Sequence, residues 1–121
     1  MHHRVMIVTN NTKQCILAAR ASIASTFLDR FLGLIPRKEL APDEALIFYH
    51  APSIHMFFMR FSIDVIFLDK KMRVLKIYRR LMPWKMAHCF GSTITIELPA
   101  GKSIAIPTEV GDSLTLTPER I

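Results

Sequence analysis

A chain of 121 residues, half of them apolar and 21% charged, suits one domain, 1–121, able to bury about two thirds of its unfolded surface. That apolar content excludes a disordered polyelectrolyte, and no apolar run is long enough to cross a bilayer, so a soluble protein is expected. The formal charge of +6 leaves room for anionic partners, and two cysteines outside any CxxC spacing, Cys15 and Cys89, are expected as thiols.

The opening residues, MHHRVMIVTNNTKQC, hold only a short apolar run at 5–8 and no small-residue cleavage site. They do not read as a signal peptide, and a cytoplasmic location is expected. Residues 4–9 read as a strand, Asn10-Asn11 as a turn and residues 15–18 as the partner strand. From Ser25 the period changes. Phe27, Leu28, Phe31 and Leu32 fall at helical spacing, Ser25 is placed to cap the first turn, and Gly33 ends it ahead of Pro36. One short α-helix is therefore predicted near residues 25–33, too short to persist unless its apolar stripe lies on a sheet.

Residues 45–49 form the next strand candidate and lead through His50-Ala51-Pro52 into SIHMFFMRFSIDVIFLD, where dense apolar residues enclose several titratable ones. This stretch divides at Ser62 into two strand-length halves, 56–61 and 64–69, rich in residues that fit a pleated surface. Both faces of each half are largely apolar, as in a central strand covered on both sides. Paired as a hairpin, they would set His55 at one end of the ladder and Arg60 beside Asp64 at the bend. Lys70-Lys71 then turns into a strand at 73–78, with Leu75 and Ile77 on one face and Lys76 outward. Residues 79–92, with Pro83 and Trp84 in a basic setting, read as loop. At 93–98 Ile94, Ile96 and Leu98 alternate inward against outward Thr95 and Glu97; Pro99-Ala100-Gly101 turns the chain into 102–106, and Leu114 and Leu116 mark a last strand.

Three ordered stretches, FLDRFLGLIPRKEL, SIHMFFMRFSIDVIFLD and TIELPAGKSIAIPTEVGDSL, together resemble the domain of unknown function 192 family of small bacterial and archaeal proteins. The likeness spans nearly the whole chain. It implies a mainly β fold, an antiparallel sandwich or jelly-roll-like compact barrel with one short helix, and it supplies no substrate. The chain departs from the family pattern at Met56, where a small polar residue is usual and a more apolar pocket edge results, and at Ser62, where a proline would stiffen the bend.

The residues themselves narrow the chemistry. There is no GxSxG elbow, and Cys89 following His88 makes no dyad, since neighbours in a strand point oppositely. Phosphate-cradling glycine motifs are absent, and Asp64 and Asp69, an odd number of positions apart, do not pair as acid and base. His50, His55 and Asp64 are metal-ligand candidates only by residue type, with Met59 and His88 near in sequence or in reach. The plainer reading has His55 hydrogen-bonding at a pocket rim, Met59 packing and Asp64 held by Arg60 or backbone amides; no metal or cofactor is called for. Arg73, Lys76, Arg79, Arg80 and Lys85, interleaved with Tyr78 and Trp84, are either a phosphate-binding array or a solvated guard on an exposed strand. The expected function is a non-catalytic accessory module that binds a small molecule or protein through His55, Met59, Arg60, Asp64 and Trp84. Its alternatives are a metal-assisted or His/Asp hydrolase using the same pocket, and a weak nucleic-acid binder through residues 70–85.

Overall fold

The computed structural model describes residues 5–24 and 39–119. They form a mainly β fold, a curled seven-stranded sheet shaped as a half-barrel, with a two-stranded sheet of its own beside it. The large sheet uses β1 (Val5–Asn10), β2 (Cys15–Ile23), β3 (Glu44–Tyr49), β5 (Ile63–Leu68), β6 (Val74–Leu81), β8 (Ile94–Pro99) and β9 (Leu114–Pro118); β4 (Ser53–His55) and β7 (Met86–His88) make the small one. Its strand order is β6-β5-β8-β3-β2-β1-β9, antiparallel except where β2 and β3 run parallel. The first hairpin forms as the turn residues Asn10 and Asn11 predict, and the helix expected near 25–33 lies outside the described residues.

Strand β5 is buried at every position, because β6 and β8 take its two edges and apolar layers cover both faces. Ile66 and Leu68 join Val8, Leu17, Ile47, Ile96 and Leu98 in one core, while Ile63, Val65 and Phe67 join Phe48, Ile54, Met56, Met59 and Ala87 in the other. Each layer buries side chains worth about 1.5–3 kcal/mol apiece. The second layer is roofed by β4 and β7, through Ile54 and Ala87.

Four local expectations change. Residues 56–61 are not a strand: the edges of β5 are already taken, and the N–H of Met59 turns back to the carbonyl of Met56 at 3.2 Å. Residues 102–106 open as a helical turn, α1 (Lys102–Ala105), instead of continuing the sheet. Thr95 and Glu97 are fully buried, not outward, because β8 is central and its second face lies under the other apolar layer. The 79–92 loop also contains the end of β6 and all of β7, whose three residues bury only Ala87 and so leave almost no pattern to read.

Candidate functional site

Alternation along β5 sends Asp64 to the same face as Ile66 and Leu68, opposite Leu98 of β8, where it is fully buried. Across from it on β6, Arg79 and Arg80 together oppose this one residue, a β-bulge that sets Arg80 at φ 54°. The bulge aims the Arg80 N–H at Asp64 Oδ1 (2.9 Å), which also accepts from the Gly101 N–H (3.0 Å). Oδ2 accepts from the Ser103 N–H (2.9 Å) and from the Ser103 hydroxyl. Four donors fill the capacity of a carboxylate, so Asp64 ties β5, the bulge and α1 together and has nothing left to offer a ligand.

A polar chain continues outward from this cage. The Arg79 guanidinium donates to Ser103 Oγ (2.6 Å) and to the Thr108 carbonyl (3.0 Å), and Asn10 Nδ2 donates to Thr108 Oγ1 (3.3 Å) and Asp112 Oδ2 (2.9 Å). Burial by itself would push the Asp112 carboxyl up. Donation from Asn10, the Glu109 N–H and Lys13 outweighs that and holds it below the ordinary carboxylate range. This side of the sheet is a latch joining the β1–β2 turn to the α1 loop.

The opposite side is different. Two turns, 56–59 and 82–85, are stitched to each other by Met56, whose N–H donates to the Lys85 carbonyl (2.8 Å) and whose carbonyl accepts from the Trp84 N–H (2.8 Å). Met56 is fully buried, a core anchor and not the pocket edge that its apolar character suggested. Above it the rings stack: His55 on Phe57 with centroids 4.8 Å apart, Phe57 to Trp84 at 5.9 Å, and Phe58 edge-on to Trp84 at 4.9 Å. His55 sits across from Met86 in the β4–β7 ladder, which extends the face. Phe57 is 38% exposed, Phe58 and Trp84 59%, and Met82 and Met86 60%. The three rings alone present on the order of 300 Å² of apolar surface, comparable with the largest apolar patch of an ordinary monomer.

Phe58 and Trp84 occupy the third positions of their turns at φ 65° and 70°. Pro83 at the second position of the 82–85 turn is the type II arrangement, whose third position favours glycine or asparagine. Bulky rings there are strained, each by on the order of 1 kcal/mol or more.

Of the five residues singled out in the sequence, His55 and Trp84 meet through Phe57, Arg60 is exposed just after the first turn, and Met59 packs in the core below. Asp64 is not among them. It faces the other side of the seven-stranded sheet, so the expected convergence of His55 and Asp64 and the Arg60–Asp64 pair do not form. His50, His55 and Asp64 do not gather either, and among the described residues no three His, Cys, Asp or Glu side chains come together. Within the basic segment Arg73 pairs with Asp69 at 3.7 Å, Lys76 donates to the His88 carbonyl (3.1 Å) and lies over the Tyr78 ring, and Arg79 is held as above. Those three side chains are engaged by the fold at the sheet edge formed by β6. His88 turns outward to Ser53 (2.9 Å) while Cys89 turns into the core, where burial pushes its thiol up, away from nucleophilic use. Glu97, fully buried and partnered in the layer beneath β4 and β7, escaped the sequence reading because it alternates with isoleucines as an outward residue would. Its one signal was indirect: a neighbour as apolar on both faces as β5 implies a strand also covered on both.

Among the described residues no helix is long and apolar enough to span a membrane. The chain is 38% identical over 117 residues to a UPF0127 protein of Thermococcus sibiricus, covering 89% of this chain and 73% of that one. It is 36% identical over 115 residues to the UPF0127 protein PH1112 of Pyrococcus horikoshii, covering 89% and 96%. A crystal structure of a protein of unknown function from Novosphingobium aromaticivorans superposes with a TM-score of 0.76 at 23% identity over 93% of this chain and 84% of the other, which shows a shared fold. Residues 6–116 match the model of the DUF192 family, described as Uncharacterized ACR, COG1430, and the chain belongs to that family.

Proposed function

We propose that this protein is a non-catalytic binding module whose contact surface is the face built by His55, Phe57, Phe58, Trp84 and Met86 and flanked by Arg60 and Lys85. The observation that carries this reading is the pair of exposed rings at φ 65° and 70°, where glycine would fold more easily. A side chain that is half in water and strains its own backbone contributes little to the core, which favours a role outside folding. The hydrolase reading loses its base, since each Asp64 oxygen already accepts two hydrogen bonds on the far side of the sheet. The nucleic-acid reading loses Arg73, Lys76 and Arg79 to bonds within the fold.

The test uses 8-anilinonaphthalene-1-sulfonate, an apolar anion matched to such a face. The native protein should bind it with quenching of Trp84, the one tryptophan. Phe58→Gly/Trp84→Gly should lose at least about tenfold in dye affinity. Dye binding unchanged in that variant would put the adhesive surface elsewhere. Turnover in an ester and phosphoester screen that vanishes in His55→Ala would overturn the non-catalytic reading.

A further inference from the structure

The shape and charge of this face identify its occupant more narrowly. Between Glu44 and Glu97 the chain has only two carboxylates, Asp64 and Asp69. The first is sealed beneath α1, and the second is bonded to the N–H groups of Lys71 and Arg73 in the turn beyond the far end of β5, about 17 Å along the strand. Arg60 and Lys85 stand exposed, the one two residues after Phe58 and the other next to Trp84. Among the described residues neither Arg60 nor Lys85 has a carboxylate partner. The apolar atoms are carried on the tips of two adjacent tight turns, with thioethers beside the rings, on a base fixed by Met56 and by the β4–β7 ladder.

We propose that these two turns dock the protein on an anionic lipid surface, inserting Phe58 and Trp84 at the level of the headgroups while Arg60 and Lys85 face lipid phosphates. This rests on the contact face proposed above and names its partner. Turn tips bearing Trp, Phe and Met suit a planar, deformable interface, where aromatic rings partition favourably and neighbouring cations add attraction to anionic lipid. A single-stranded nucleic acid fits less well. Its bases stack on open ring faces, whereas one face of Phe57 is taken by His55 and Phe58 and Trp84 meet edge to face.

The experiment is co-sedimentation of the full chain with vesicles of phosphatidylcholine alone and of equimolar phosphatidylcholine and phosphatidylglycerol, at low and moderate salt. The expected result is at least about tenfold stronger partition onto the anionic vesicles, weakening with salt, with Trp84 emission moving to the blue. Phe58→Gly/Trp84→Gly and, separately, Arg60→Glu/Lys85→Glu should each lose at least about tenfold. The proposal is overturned by absence of sedimentation, by equal sedimentation with phosphatidylcholine alone, or by sedimentation that neither variant reduces. Dye binding that depends on Phe58 and Trp84 without any vesicle binding would overturn the lipid partner and leave the contact face standing. Binding of a single-stranded oligonucleotide through the same residues, with no vesicle binding, would assign the face to nucleic acid instead.

Discussion

Asp64→Ala should destabilise the protein by about 3–5 kcal/mol, because it strips four hydrogen bonds from a buried carboxylate and leaves their donors without an acceptor. The orphans are the N–H groups of Arg80, Gly101 and Ser103, and the Ser103 hydroxyl, in a site that a methyl group cannot fill. Against a typical stability of about 5–15 kcal/mol the loss is large. Urea unfolding should show a lower midpoint at an unchanged slope. Asp64→Asn should recover only part of it, since an amide nitrogen would point a donor at donors. A change below about 1 kcal/mol for the alanine variant would mean that the cage does not hold α1 and the bulge in place, and would return Asp64 to the list of candidate catalytic groups.

The second large effect is expected at Gly101, which delivers one of those N–H groups from φ 86°. Gly101→Ala should cost about 1–2 kcal/mol, chiefly from placing a Cβ in the left-handed region. That Cβ would also lie 2.9 Å from Arg80 Nη2, a contact that a flexible guanidinium relieves by swinging aside. The same urea titration checks it. A midpoint equal to the parent's would show that the turn ahead of α1 relaxes freely and is not fixed by Asp64.

The outline of this fold is written in local patterns. The Asn10-Asn11 turn, the apolar run of β3, the β-branched runs of β5 and β8, and the alternation at Leu114 and Leu116 each specify a strand from their own residues. What these patterns do not carry is which neighbour each edge takes. Residues 56–61 are as apolar as a strand, yet β6 and β8 had already claimed β5, so Phe57 and Phe58 were left on a turn. The faces of Thr95 and Glu97 were hidden for the same reason: alternation reports polarity, and burial depends on what lies above the sheet.

The proposed contact face was visible in the sequence only in part. His55, Arg60 and Trp84 were identified from titratable and aromatic residues in an apolar setting, and the structure brings His55 and Trp84 together through Phe57. Asp64 shared that signature for the opposite cause, since a carboxylate in an apolar strand marks either a pocket or a buried tie. Only the positions of Gly101 and Ser103, nearly forty residues later, separate the two. Phe58 stood out less than it should have, because a ring in an apolar run is expected to be buried.

The most direct measurement is the unfolding midpoint of Phe58→Gly/Trp84→Gly, followed by circular dichroism. If the two rings are held at a cost to the backbone for the sake of an outside contact, the variant should be as stable as the parent or more stable by up to about 1 kcal/mol. A fall of more than about 1 kcal/mol would mean that the rings support the fold, and would contradict the assignment of this face to binding.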